Sequence, residues 1–474
     1  MSQGAPGRAE APDRSGEQAS PLVSVVVPYF ESPARLARLL EALRHTTLPP
    51  EQVEVVVADD GSATPPDLPA DHPLALHLVH QEDRGFRAAA ARNLGAAAAR
   101  GQVLVFVDGD MLPEPACLER LARAASAPHP TLVVGRRRHH AVDGWTPEQV
   151  AAWLEGSGPA PAELEEPAWL ADGYRWTDDL RSADDASFRY VISAVMALPR
   201  EAFTALGGFD ESFVGYGGED WELAQRCWLA GLDLRHEPGA VAWHDGPEIS
   251  GRPEDLVAVK NAETAHLARR LTHPLVRGRG LVHAVPDLVI EADATGWPLG
   301  AALVAVESWL RGADAGVWWG GTASAGLLDA LAEDPRVHAG EPPSDVLARC
   351  RWRVRVARPV TVGQGWEAVV REVTGEPGSP SGPDAVSPPT AGDEPDVGGA
   401  PVRVATTRAL GRARIGGGAG DEGDAAWRAV PVAGSGADAP ASGRGASDAA
   451  PDDAGAVRLL PDDVMAERVR QAWL

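Results

Sequence analysis

From Pro21 onward the chain alternates short, unbroken apolar runs with longer stretches in which leucine or alanine recurs at helical spacing. LVSVVVPYF is apolar over the length of a strand, and PARLARLLEALRHT follows with Leu36, Leu39, Leu40 and Leu43 on one helical face. VEVVVADDGS is the next apolar run, so strand, helix and strand fit within about forty residues. Parallel strands joined in this way are buried on both faces, which is why they read as continuous Val rather than as an alternation. The pattern continues with LALHLVHQ as a third strand, RAAAARNLGAAAAR as an alanine-rich helix stopped by Gly101, and VLVFV as a fourth strand. It predicts a doubly wound, mostly parallel α/β sheet with helices on both faces. Further on, VISAVMALPREAFTALGGFDESFVGYGGEDWELAQRCWLAGLDL predicts a strand, a short helix, a glycine-rich loop and a second helix.

Ligands of such sheets sit beyond the carboxyl ends of the strands, and PYFES, DDGS and DGDM all fall there. Asp59, Asp60, Asp108 and Asp110 are thereby predicted to share one rim, where like charges need a counter-ion to stay ionised. Two carboxylates at x and x+2 on a turn suit a hard divalent cation such as Mg2+ or Mn2+, completed by water and the phosphates of a substrate. Glu219 and Asp220 open the later helix, behind Gly215, Tyr216, Gly217 and Gly218, which have the composition of a mobile lid. A carboxylate there is a candidate base, and His244 in VAWHDG is a candidate metal ligand.

At 474 residues the chain is too long for one ordinary domain and predicts two to four folding units. A formal net charge of -25, without a basic cluster interleaved with aromatics, excludes nucleic acid as a partner. Cys117, Cys227 and Cys350 lie far apart without a CxxC pair, which predicts reduced, buried thiols. The polar start MSQGAPGRAEAPDRSGEQAS lacks a signal peptide's apolar core, and no run reaches the ~20 residues of a membrane span, so a soluble cytoplasmic protein is expected.

PYFES, VVVADDGS, RGFRAAAARNLG, FVDGDM, GGFDESFVGYGGEDWELAQR and VAWHDG occur in that order. As an ordered set they resemble the inverting, nucleotide-sugar-dependent glycosyltransferases of family two, over residues 21 to about 270. The resemblance implies the GT-A fold, a divalent metal held by the DxD residues against the sugar-nucleotide diphosphate, and a nucleotide-sugar donor, foremost a UDP-sugar. It implies a metal role for Asp110, a metal or ribose role for Asp108, and uridine or ribose contacts for Asp59 and Asp60. Pro28, Tyr29 and Glu31 then shape the first nucleotide loop, while Arg84, Arg92 and Asn93 pack under the nucleotide. GYGGEDWE is similar to the WGGED segment of the galactosyltransferase and chondroitin-polymerase branch. That implies Asp220 as the catalytic base, acceptor contacts for Glu219, Tyr216 and Trp221, and His244 as the residue completing the metal site. Phe30 stands where relatives commonly carry Asn, and Trp221 where the galactosyltransferases carry a further acid. The QxxRW signature of processive membrane synthases is absent, so single-sugar transfer to a glycan or small-molecule acceptor is expected. Trp145, Trp153, Trp169 and Trp176 are candidate stacking surfaces for that acceptor.

From Leu281 the pattern begins again. LVHAVPDLVIEADATGWPLGAALVAVESWLRGADAGVWWGG runs strand, helix, strand, PRVHAGEP takes the place of LALHLVHQ, and RWRVRVARPVT that of VLVFVDGDM. This predicts a degenerate second copy of the α/β unit without metal-binding carboxylates. The expected organisation is a disordered tail over 1–20, a catalytic GT-A domain over 21–275 and a second α/β domain over 281–432 with a disordered insertion at 375–400. A disordered linker over 433–454 and a C-terminal helix over 455–474 complete it. A sugar nucleotidyltransferase shares a similar sheet but needs a glycine- and arginine-rich phosphate loop where this chain has VVPYFES. A non-catalytic sugar-binding scaffold is the reading from a different class.

Overall fold

Val23, Val25, Val26 and Val27 are all wholly buried because strand β1 (Val23–Tyr29) runs through the middle of a sheet covered on both faces. The computed structural model describes residues 22–215, 217–246, 256–321, 325–362, 366–374, 402–415, 426–430 and 457–459. On one face Val25 and Val27 meet Leu36, Leu39 and Leu43 of the helix Pro33–Arg44. On the other, Val26 meets Ala89 and Ala96 of the helix Ala88–Ala98. The side-chain alternation of one strand thus serves two cores.

β1 pairs in parallel with β2 (Val53–Asp59), and β2 with β3 (Ala75–His80). On its other side β1 pairs in parallel with β4 (Val103–Val107). The strands β5 (Met111–Pro113), β6 (Thr131–Ala141), β7 (Ala162–Leu164), β8 (Val195–Pro199) and β9 (Asp233–Asp245) complete the sheet. Its order is β3-β2-β1-β4-β8-β6-β9-β5, with β7 beside β6. The chain leaves β1 toward β2 on one side and reaches β4 on the other, which opens a crevice beyond their carboxyl ends.

A second sheet comprises β10 (Leu288–Asp293), β11 (Ala315–Gly320), β12 (Val337–Ala339), β13 (Trp352–Val356), β15 (Val402–Thr406) and β16 (Arg428–Ala429) in the order β12-β11-β10-β13-β15-β16. Its first four strands are parallel and β15 runs against β13. That repeats β3-β2-β1-β4-β8, in which β8 runs against β4. Gly320 and Gly321 stand where the first unit has Asp59 and Asp60.

Two expectations need revision. The helix read as running to a stop at Gly101 ends at Ala98, and Ala99 is already extended. Gly101 is required for a close approach instead: a Cβ there would lie 2.6 Å from the backbone nitrogen of Ser24, whose hydroxyl accepts the Gly101 N–H at 2.7 Å. Backbone cannot yield as a side-chain end can, so Gly101→Ala is expected to lower stability by about 1–3 kcal/mol. Denaturant unfolding at an unchanged midpoint would refute that account. Residues 457–459, placed in a C-terminal helix by sequence, form β17 and pair with β14 (Val360–Val362). A strand edge offers their backbone hydrogen-bond partners that a local helix signal does not anticipate. The tail, the insertion, the linker and residues 460–474 lie outside the described residues.

Candidate active site

Three strand ends build the rim. After β1, Glu31 adopts a left-handed backbone with φ of 45°, donates its N–H to the Ser62 hydroxyl oxygen at 3.0 Å and accepts the Ala63 N–H on Oε1 at 2.7 Å. Glu31 therefore joins the first loop to the second, while Pro28 and the buried Tyr29 end β1 just before it. After β2, Asp59 accepts the Ser62 N–H at 3.0 Å and stands 2.9 Å from His80 Nδ1. Burial pushes the Asp59 carboxyl up, but its bonds from Ser62 and His80 outweigh that and hold it below the usual carboxylate range. Asp60 accepts from the Gln81 amide at 2.5 Å and the Arg87 N–H at 2.8 Å. The turn depends on Gly61, at φ of 94°, where any Cβ would meet the backbone of Asp83 at 2.3 Å.

After β4 the two DGD carboxylates diverge. Asp108 takes a hydrogen bond of 2.7 Å from Arg92 Nη2, whereas Asp110 stands 3.5 Å from His244 Nε2 and 3.8 Å from Arg35. His244 is placed there by the pairing of β5 with β9, which sets Met111 opposite it. Burial raises Asp110, and the His244 hydrogen bond and charge then pull it below its ordinary value. Burial lowers His244, and Asp110 in turn raises it. The two answer each other as an ion pair.

Arg92 is the buried hub. Its Nη1 donates to Glu219 Oε1 at 2.8 Å while Nη2 holds Asp108, so one guanidinium joins the DGD turn to the head of the helix Glu219–Leu229. Burial depresses its proton affinity, but the charges of Asp108 and Glu219 raise it further than burial lowers it. Gly218, at φ of 95°, is the N-cap of that helix. Asp220 accepts the Trp221 N–H at 2.8 Å and is reached by the Ser193 N–H. Burial first, and the charge of Glu219 second, push its carboxyl up to about 7, against the opposing pull of these N–H groups and Arg92.

The rim thus gathers Pro28, Tyr29, Glu31, Asp59, Asp60, Arg92, Asp108, Asp110, Glu219, Asp220 and His244 around the crevice and the helix head beside it. Other predicted residues are employed elsewhere. Arg84 is 69% exposed and pairs with Glu82. Asn93 donates to the Phe209 carbonyl at 2.9 Å and accepts the Phe209 N–H at 2.9 Å, which fastens the GGFD turn to the helix Ala88–Ala98. Trp221 packs edge-on to Phe188 at 6.0 Å. Tyr216 lies outside the described residues. Trp145 and Trp153 stack into a cluster with Trp243, whereas Trp169 and Trp176 are exposed. Sequence reasoning missed Arg35, Ser62, His80, Gln81, Arg87 and the Ser193 N–H. Of these, Ser62 and Arg87 lie inside the DDGS and RGFRAAAARNLG segments, and His80 and Gln81 end the third strand, so each of these four carried a local signal.

A divalent ion implied by the DGD turn can be weighed against this donor set. Among the described residues no three His, Cys, Asp or Glu side chains stand close enough together to hold an ion. Asp110 and His244 supply an oxygen and a nitrogen donor facing one another, and Mg2+ or Mn2+ commonly takes only one or two protein carboxylates, with phosphate oxygens and water filling the rest. The pair fits such a group.

A mostly parallel sheet whose crevice carries a DGD turn, with a GGED helix beside it, defines a GT-A type of glycosyltransferase unit. Residues 24–176 match the model of glycosyl transferase family 2, and residues 185–243 that described as the N-terminal domain of galactosyltransferase. Residues 24–176 are thus similar to the family-two glycosyltransferases. It is 32% identical over 254 residues to validoxylamine A glucosyltransferase of Streptomyces hygroscopicus subsp. limoneus, covering 48% of this chain and 52% of that protein. To the chondroitin synthase of Pasteurella multocida (strain Pm70) it is 29% identical over 258 residues, covering 50% of this chain and 26% of that one. The chain thus spans about half or less of these relatives. Among solved structures, the mannosyltransferase PcManGT from Pyrobaculum calidifontis in complex with GDP-Man and Mn2+ matches at a TM-score of 0.36 and 21% identity, covering 55% of this chain and 65% of that one. Among the described residues no helix is long and apolar enough to cross a membrane.

Proposed function

We propose that the chain is an inverting glycosyltransferase that moves one sugar from a nucleotide-sugar donor, foremost a UDP-sugar, to a hydroxyl of a glycan or small-molecule acceptor. The observation that carries this reading is the buried Arg92 guanidinium, which ties Asp108 of the DGD turn to Glu219 at the head of the helix that bears Asp220, whose carboxyl is pushed up by burial. A base whose proton affinity lies near working pH is suited to taking a proton in the transition state. Asp220 takes the acceptor hydroxyl proton as the oxygen bonds to the anomeric carbon. The bond from that carbon to the diphosphate oxygen breaks on the opposite face, and the configuration inverts.

Asp110 and His244, with Asp108 in the same turn, would hold Mg2+ or Mn2+. When bound, that ion supplies positive charge against the leaving diphosphate. Asp59 and Asp60, fixed by Ser62, His80, Gln81 and Arg87, are assigned to the nucleoside, and Pro28, Tyr29 and Glu31 to the adjoining loop. Glu219 is held by Arg92 beside Asp220 and is assigned to the acceptor.

Nucleotide release from a panel of UDP-, GDP- and dTDP-sugars, with Mn2+ and with EDTA, tests the reading. Metal-dependent hydrolysis of one donor, lost in Asp110→Ala, is the expected result. Failure of every nucleotide sugar to bind, with or without metal, would refute it in favour of a sugar-binding scaffold.

A further inference from the structure

The second α/β unit has lost the carboxylates of the first, yet its arginines reach the helix Glu219–Leu229 and the segment that lies against Asp220. Arg349 donates to Asp210 at 3.3 Å and to Glu222 at 3.2 Å, and Glu222 lies two residues beyond Asp220 in the first turn. Arg351 holds Asp287 of its own unit by two bonds of 2.8 and 2.6 Å and turns its remaining nitrogen to Asp185 at 2.5 Å. Asp185 precedes the turn Ser187–Tyr190, whose Phe188 packs on Trp221 and which leads to Ser193 and its N–H on Asp220.

At the far end of the same helix, Arg408 lies 3.3 Å above the Trp228 ring and donates to the carbonyls of Trp228 and Leu232, each at 2.8 Å. Gly411 lets the helix Thr407–Ile415 come so close that a Cβ there would lie 2.4 Å from the Ala230 backbone. The contacts are therefore made at both ends of the helix and on its flanking segment.

We propose that the second unit positions the catalytic helix: Arg349 and Arg408 fix its two ends, and Arg351 fixes the segment that brings Ser193 to Asp220. Arg92 holds the head of this helix from within the crevice through Glu219, and the rest of the helix is held by contacts from outside it. The arginines of the second unit supply those outside contacts, Arg349 from the segment before β13 and Arg408 from the helix Thr407–Ile415. These are positioning residues, and their assignment rests on the reading of Asp220 as base.

Arg349 is the informative site, because its removal strands no charge. Asp210 keeps Arg270 at 3.2 Å, and Glu222 keeps its two bonds to Arg226 at 2.6 and 2.5 Å. The full chain carrying Arg349→Ala is expected to unfold at nearly the wild-type midpoint. It should lose roughly 10- to 100-fold in kcat, the scale expected of a small misplacement of reacting groups. Its donor KM and its affinity for UDP with Mn2+ should stay within about twofold, since the loss falls on positioning and not on donor contacts. Arg349→Lys, which keeps the charge without the fork, should recover part of the rate. An unchanged kcat, a parallel shift of kcat and donor KM, or a rate loss matched by loss of folded chain would each overturn the proposal. Asp220→Asn is measured alongside. A normal rate there overturns the base assignment, whereas a normal rate in Arg349→Ala beside an inactive Asp220→Asn overturns only the positioning role.

Discussion

Asp220→Asn is expected to lose about 10²- to 10⁴-fold in kcat while binding the donor as the wild type does, the usual cost of removing a positioned base. Asn preserves the shape and keeps an oxygen to accept the Trp221 N–H, so the fold has little reason to change. The same residue sets a pH dependence. The reactive form is the carboxylate, and with its pKa pushed up to about 7 the fraction in that form grows as pH rises through that value. The wild-type rate should climb along an acidic limb near there, and the residual rate of the variant should not. Stability moves the other way. A carboxyl whose folded pKa is raised favours the folded state at low pH, and this contribution is lost as pH rises from the ordinary carboxylate range through the folded value. Asp220→Asn should therefore be at least as stable as the wild type at pH 8. A variant that keeps its rate, or an acidic limb that survives the substitution, would remove Asp220 from the role.

The second large effect is structural. Arg92→Met leaves Asp108 and Glu219 without the guanidinium that holds both, in a position where Arg92 itself is 3% exposed. Removing one partner of a buried ion pair typically costs about 3–5 kcal/mol, because the remaining charge is neither solvated nor paired. Met fills much of the same volume, so the loss can be assigned to charge. Urea unfolding would show it as a lower midpoint with unchanged slope. Adding Glu219→Gln should return part of the loss by removing one of the two stranded carboxylates. A penalty of less than about 1 kcal/mol for Arg92→Met would place the pair among solvent-screened surface bridges and sink the hub.

Much of the architecture lay open in the order of residues. VSVVVPY, VEVVVAD and VLVFV could be read as parallel strands because a sheet covered on both faces selects apolar residues without alternation. The strand ends then put Asp59, Asp60, Asp108 and Asp110 on the carboxyl edge, and the repeat beginning at Leu281 was legible for the same reason. Gly101 shows where such reading stops: a glycine after a helix resembles a cap, and only the approach of Ser24 reveals the steric demand.

Local pattern was sufficient for the elements, their order and the edge on which the acidic residues lie, since burial periodicity and strand direction are written residue by residue. Tertiary structure alone decided which charge answers which. Arg92 meets Glu219 across 127 positions, Arg349 meets Glu222 across 127, and the DGD carboxylates part company, Asp108 to Arg92 and Asp110 to His244. The reason is physical: an ion pair requires a few ångströms of separation and removal from water, and both are set by how two sheets and one helix pack rather than by spacing along the chain.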